Sequence, residues 1–217
     1  DDSERISNVV FMGMGEPLMN TMNVLKTIQI MQDQRCYSLS KRRITLSTSG
    51  IVPEIEAITG KTDVSLAISL HASNDDLRNK IVPINKKYPI KDLLSSSKKY
   101  LESLNSRSYI TIEYILISDV NDSIEDATNL VNLLSDIKCK VNLIPFNPFP
   151  ESEYERSTDQ KVEAFKDYLI NHNFIATVRV TRGDEIDGAC GQLVGKLINP
   201  VGSKKLKNKQ IAVQNLH

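Results

Sequence analysis

The stretch TRGDEIDGACGQL, residues 181 to 193, holds Cys190 between Ala189 and Gly191, with Arg182, Asp184, Glu185 and Asp187 close by. Small neighbours and nearby charge leave a thiol open to a reagent, whereas an inert thiol is normally packed among aliphatic side chains. The chemistry on offer is that of a reactive thiol, although a structural cysteine that happens to follow alanine fits the same residues. GMGEPL, 13 to 18, offers something different. Its two glycines let the backbone come close to a ligand, and Glu16 supplies a carboxylate able to receive an ammonium group. A tight strand-to-helix turn with a solvated acid is the plainer account. The motif is not a dinucleotide fingerprint, because Leu18 stands where a third glycine is needed and Pro17 disrupts the helix start.

LSTSG (46 to 50) and SLHAS (69 to 73) place hydroxyls and His71 just past apolar runs. A lone histidine in that setting serves structure more often than it serves as ligand or base. No second histidine or cysteine stands beside it at metal spacing, so zinc is not expected. IPFNPFP (144 to 150) suggests a rigid apolar wall with one amide, Asn147, able to read a ligand, or simply a proline-rich connection. The chain has no GxxxxGK loop, nucleophile elbow or HExxH helix, which removes support for the common phosphate-loop, acyl-transfer and zinc-hydrolase readings.

Such residues act together only if the chain gathers them, and its pattern does so. Short runs rich in Val and Ile alternate with helical periodicity six times, as in a parallel sheet joined by helices. The expected strands are 8 to 12, 43 to 47, 64 to 70, 109 to 117, 140 to 146 and 175 to 180. Between them lie a helix with Val24, Leu25, Ile28 and Met31 on one face, one from Pro53 to Gly60, and a short one around Leu77. A linker with Pro83 and Pro89 leads into a stripe of Leu93, Leu94, Tyr100, Leu101 and Leu104. Ser123 and Asp126 resemble a capping box before Ala127, Leu130, Val131, Leu134 and Ile137, and a last helix follows Thr158. GMGEP, STSG, HASND, NPFP and TRGDEIDGACG each directly follow a strand. In a β/α barrel or an open parallel sheet these loops share the carboxyl-end face, where chemistry is normally built.

Composition bounds the partners. The chain has 217 residues, 40% of them apolar, enough for one large domain or two small ones. Its 27 basic residues balance 27 acidic ones, so attraction for nucleic acid must be local. Lys41 to Arg43, Lys86 with Lys87, and Lys204, Lys205, Lys207 and Lys209 are the candidates. Each is more often a solvated face. Three widely spaced cysteines, Cys36, Cys139 and Cys190, argue against a disulfide framework and suit a reducing compartment. No run approaches the roughly 18 apolar residues of a membrane span, and the start shows no signal-peptide pattern, so a cytoplasmic location without membrane attachment is expected.

Taken in order, GMGEPL, LSKRRITLSTSG, AISLHA, IVPINKKY, TIEY, LIPFNPFP and TRGDEIDGACGQL closely resemble the RlmN family, the radical S-adenosylmethionine methyltransferases acting on carbon 2 of adenine in 23S ribosomal RNA and transfer RNA. The resemblance covers nearly everything from Asn8 to about Gly195. It implies a partial TIM-type (β/α)6 barrel of the radical SAM superfamily over residues 1–200 and a polar basic tail over 201–217. By the same resemblance Gly15 and Glu16 hold the methionine end of S-adenosyl-L-methionine, and Ser47, Ser69, Leu70, His71 and Asn147 make its other contacts. Cys190 is then the cysteine that is methylated and carries the carbon to the base. Carbon 2 of adenine is electron-poor and does not attack a sulfonium methyl, so the family uses a radical route. A 4Fe-4S cluster cleaves a second S-adenosylmethionine, and the resulting radical activates the S-methyl group. Protein groups supply orientation.

The family's CxxxCxxC motif and its second catalytic cysteine do not occur in these residues, so no metal ligands are expected in this chain. The cluster ligands are expected upstream of residue 1, with the first barrel strand and the N-terminal domain. On this reading the chain is the larger C-terminal part of the enzyme and is inactive alone. The implied partners are ribosomal and transfer RNA and an electron donor such as a flavodoxin-type reductant, with the protein a monomer. Two alternatives stay open: the related carbon-8 adenine methyltransferase, and a non-catalytic RNA-binding module.

Overall fold

The computed structural model describes residues 6–105, 107–149 and 152–179. They contain six strands: β1 (Val9–Phe11), β2 (Ile44–Thr48), β3 (Ser65–Ser69), β4 (Ile110–Leu116), β5 (Cys139–Pro145) and β6 (Ile175–Val178). Every neighbouring pair is parallel and the spatial order equals the chain order. A doubly wound sheet reverses its order at a switch point, whereas this one never does. Successive right-handed crossovers therefore keep the helices on one face, which is the winding of a partial β/α barrel.

The crossovers carry α1 (Thr21–Gln32), α2 (Val52–Ile58), α3 (Asp75–Ile81), α4 (Ile90–Glu102), α5 (Ile124–Leu134) and α6 (Asp159–Asn171). The alternation of a strand explains the two faces of the sheet. Ile44 and Leu46, Leu66 and Ile68, Ile110, Ile112 and Tyr114, and Val141 and Leu143 point to the helices and are buried. Each large apolar side chain removed from water in this way stabilises the fold by roughly 1.5–3 kcal/mol. Tyr100 of α4 is fully buried and donates its hydroxyl to Val64 O at 2.9 Å, so its one polar atom is satisfied. The opposite face carries Thr45, Ser47, Ser65, Ala67, Ser69, Thr111, Glu113, Asn142 and Thr177, in register across the strands.

Helix ends follow local chemistry. The Ser123 and Asp126 pair forms a full capping box at α5, and Thr158 caps α6 through Lys161 N. α5 stops at Leu134, before the expected Ile137, because the chain turns there with Ile137 N on Leu134 O at 3.0 Å; Ile137 still packs on the core. Leu104 likewise lies past the end of α4 and packs on the same core. The linker with Pro83 contains a 3-10 turn, Pro83–Lys86.

The chain divides into two compact units, the larger containing residues 1–146 and 156–180 and the smaller containing 147–155 and 181–217. Within the smaller unit Ser152 N donates to Phe149 O at 2.9 Å, and Tyr154 N donates to Ser152 Oγ at 3.1 Å. The expected boundary between residues 200 and 201 lies outside the described residues. Among the described residues no helix is long and apolar enough to cross a membrane.

Candidate active site

Polar groups at the carboxyl ends of β1 to β4 hold one another in a continuous seam. Glu16 caps the 3-10 turn Pro17–Asn20: its Oε1 accepts from Leu18 N at 2.9 Å. Its Oε2 accepts from both Ser49 N at 2.7 Å and Ser49 Oγ at 2.8 Å, which ties the loop after β1 to the loop after β2. A carboxylate offers about four acceptor positions, so roughly one is left for a ligand. Beside it, Gly15 has φ +90, a left-handed conformation that favours glycine, and a Cβ built there would meet nothing within 4 Å. The backbone there faces open space that a ligand can enter.

The next tie is Arg78, whose side chain is fully buried. Its guanidinium donates to Leu70 O at 2.9 Å, Ser49 O at 2.7 Å, Ser69 O at 3.0 Å and Asn85 Oδ1 at 2.7 Å. Burial lowers its pKa to about 10, partly offset by Asp75, so it is a cation at neutral pH. One planar fork thus fastens the loop after β2 to the loop after β3. Gly50, at φ +110, sits close by; a Cβ there would lie 3.0 Å from the methyl carbons of Leu93.

His71 makes the third tie. Its φ is +62, and its Nδ1 accepts from Ile115 N at 3.2 Å, taking a β4 amide where β3 has already ended. Burial, and secondarily the charge of Arg78, hold the imidazole down at about 4, so the ring is neutral. With Nδ1 accepting, the hydrogen-bond pattern assigns the proton to Nε2. Asn121, fully buried, completes the join by donating to His71 O at 3.0 Å and Ile115 O at 2.8 Å while its Oδ1 accepts from Ile117 N at 2.8 Å.

Ser47 and Ser69 lie on the open face of the sheet, and their hydroxyls have no hydrogen-bond partner among the described residues. Leu70 is fully buried in the apolar core, its N–H donates to Glu113 O and its carbonyl accepts from Arg78 Nε, which leaves one carbonyl lone pair for a ligand. The structure therefore brings Gly15, Glu16, Ser47, Ser69, Leu70 and His71 to neighbouring strand ends. Asn147 belongs to the smaller unit and is described with it. Cys190 and its loop lie outside the described residues.

Four functional candidates escaped the reading from sequence. Arg78 and Asn121 are hidden in segments that look like an ordinary helix and loop. Glu113 and Asn142 face each other across β4 and β5 on the open side, Glu113 only 5% exposed. Burial raises the Glu113 carboxyl, while the hydrogen bond from Asn142 and the charge of Arg179 pull it back. A signal existed for Glu113: a lone acid at an alternating position of the apolar run TIEYIL.

No group of three or more His, Cys, Asp or Glu side chains among the described residues could hold a metal ion. Cys36 is exposed and far in sequence from any other cysteine, and Cys139 is buried, where loss of water pushes its thiol up to about 12. Neither suits a cluster that needs clustered thiolates. A small polar ligand, in contrast, fits the open backbone at Gly15, the spare acceptor of Glu16 and the two unpaired hydroxyls.

The chain is similar to known proteins over most of its length. Residues 2–131 match the model of the radical SAM superfamily. The chain is 56% identical over 192 residues to a dual-specificity RNA methyltransferase RlmN of Pseudomonas putida strain F1, covering 88% of this chain and 50% of that protein. It is 50% identical over 212 residues to the protein of the same name from Pseudomonas fluorescens SBW25, covering 98% of this chain and 55% of that one. The chain spans about half the length of the curated relatives it matches. Among solved structures, a radical SAM methyltransferase from Sphaerobacter thermophilus superposes with a TM-score of 0.81 at 41% identity, over 86% of this chain and 54% of that one. A domain of a pyruvate-formate lyase-activating enzyme from Bacteroides vulgatus, 15% identical with a TM-score of 0.59 over 80% of this chain and 99% of that one, shares the fold alone.

Proposed function

The chain belongs to the radical SAM superfamily, and from that premise we propose that it forms the larger part of the catalytic barrel of an enzyme methylating carbon 2 of adenine in 23S ribosomal RNA and transfer RNA. The observation that carries the reading is the likeness of 50% or more, sustained over 192 to 212 residues, to relatives named dual-specificity RNA methyltransferases. The geometry supports it by offering a polar cradle at the strand ends. The proposed protein is a cytoplasmic monomer served by a flavodoxin-type electron donor.

S-adenosyl-L-methionine supplies the methyl carbon as an electrophilic sulfonium methyl. Glu16 receives one N–H of the ligand's ammonium group with its remaining lone pair, beside the open backbone of Gly15. Ser47 and Ser69 offer hydroxyls, the Leu70 segment offers backbone, His71 offers Nε2–H as a neutral donor, and Asn147 offers its amide. Cys190 would serve as the thiolate acceptor of that methyl carbon, its sulfur lone pair taking the methyl group while the ligand's own sulfur keeps the electron pair of the broken bond and departs as the thioether S-adenosylhomocysteine. The iron–sulfur cluster of the superfamily finds no ligand set among the described residues.

The test uses the intact protein purified from its source. Peptide mass spectrometry is expected to show a methyl adduct on Cys190, and nucleoside analysis of RNA treated with the reduced enzyme is expected to show 2-methyladenosine. Methylated adenosine formed by a Cys190→Ala variant would remove the carrier role, and 8-methyladenosine in place of the 2-methyl product would move the enzyme to the carbon-8 class.

A further inference from the structure

A cavity of about 170 Å³ lies at the other end of the sheet, away from the strand-end loops. Its lining comes from residues at the amino ends of four strands: Lys41 and Arg42 precede β2, Asp63 precedes β3, Arg107 precedes β4, and Lys140 is the second residue of β5. The one carboxylate is already engaged, because Asp63 accepts from Lys41 Nζ at 2.7 Å and from Gln32 at 3.3 Å. Arg42, Arg107 and Lys140 are exposed, and their side chains have no hydrogen-bond or ion-pair partner among the described residues.

Three unpaired cations around one concavity repel each other, and they are a local excess on a chain whose total charge is zero. The arrangement stores an attraction for an anion. Two guanidinium forks present paired N–H donors that match the oxygens of a phosphate, the ammonium of Lys140 adds a point charge, and the Thr111 hydroxyl, opposite Lys140 on the same rung, adds a donor. We propose that this amino-end cavity is a phosphate-binding site, separated from the strand-end site by the length of the sheet, roughly 15 Å for strands of five residues. The phosphate is either a diester of an RNA backbone or a small phosphorylated ligand. The proposal stands independently of the methyltransferase reading, since it uses neither Cys190 nor any strand-end residue.

The experiment compares the intact protein with its Arg42→Gln, Arg107→Gln, Lys140→Gln triple variant, which keeps the Lys41 and Asp63 pair. Inorganic pyrophosphate is titrated by calorimetry, and a fluorescent RNA hairpin is titrated by anisotropy at several salt concentrations. Wild type is expected to bind pyrophosphate saturably, and the triple variant at least tenfold more weakly. If the RNA backbone is the natural source, the variant also loses RNA affinity. Its plot of log affinity against log salt then becomes shallower by about 2, at roughly 0.7 per phosphate contact. Loss of pyrophosphate binding with RNA binding intact identifies a small phosphorylated ligand instead. Equal binding of pyrophosphate by both proteins, or none by wild type, overturns the proposal. The single variant Arg42→Gln serves if the triple variant does not fold, and a threefold or greater loss is expected from it. Affinity for S-adenosyl-L-methionine should be unchanged throughout, so failure here leaves the strand-end reading untouched, and failure of that reading leaves this one measurable.

Discussion

Glu16 combines two duties that are easily confused. Three of its roughly four acceptor positions serve the protein, through Leu18 and Ser49, and one is free for a ligand. Replacing it by alanine should therefore cost both stability and affinity. The expected loss is about 1–2 kcal/mol from the missing cap and the Ser49 bonds, seen in the urea midpoint, together with a raised dissociation constant for S-adenosyl-L-methionine in calorimetry. An unchanged dissociation constant would count against the ligand role while leaving the capping role intact. His71 makes a prediction about pH. Its pKa is lowered to about 4 in the folded protein, against about 6.5 in the unfolded chain. The unfolded state therefore binds a proton that the folded state refuses, and the contribution of His71, complete above pH 6.5, falls away as the pH drops towards 4. About 2 kcal/mol should be lost over that interval, after allowance for the partial exposure of the residue. His71→Gln, which keeps an acceptor but does not titrate, should flatten the urea-midpoint profile between pH 6.5 and 4.5 relative to wild type.

Elements matter here through what joins their ends. Arg78 reaches out from α3 to carbonyl groups after β2 and β3, so Arg78→Met should leave several buried acceptors empty. A loss of about 3–5 kcal/mol is expected in denaturant unfolding, with Arg78→Lys recovering only part of it because one ammonium does not reproduce the fork. Ser123→Ala at the start of α5 is a smaller case, worth about 1 kcal/mol. The difference between these two residues also explains what could be read from sequence. The capping box is local, fixed by residues three apart, and Ser123 with Asp126 announced it. The six strands were legible for a related reason, since runs such as VSLAISL and KVNLIPF carry their own apolar signal. Arg78 is satisfied by Ser49, 29 residues earlier, and His71 by Ile115, 44 residues later, so neither partnership has a local trace. Resemblance of motifs pointed to Gly15, Glu16, Ser47 and Ser69, but not to the ties that hold their loops.

Across the whole molecule, packing is deepest in the middle of the sheet. Leu66, Ile68, Ile112 and Tyr114 of β3 and β4 are fully buried, whereas Val10 of β1 is 58% and Ile175 of β6 is 52% exposed. Native-state hydrogen exchange should accordingly show the slowest amides in β3 and β4 and much faster exchange in β1 and β6. Uniform protection across all six strands would contradict this gradient. The seam from Glu16 through Arg78 to His71 and Asn121 bears on the thermodynamics of occupancy. Four loops that already brace one another have little conformational freedom left to surrender, so a ligand arriving at the strand ends meets a preorganised receptor. Binding there should carry a small entropic penalty in calorimetry. Cutting the seam at Asn121, a residue that touches no proposed ligand, should make that penalty grow.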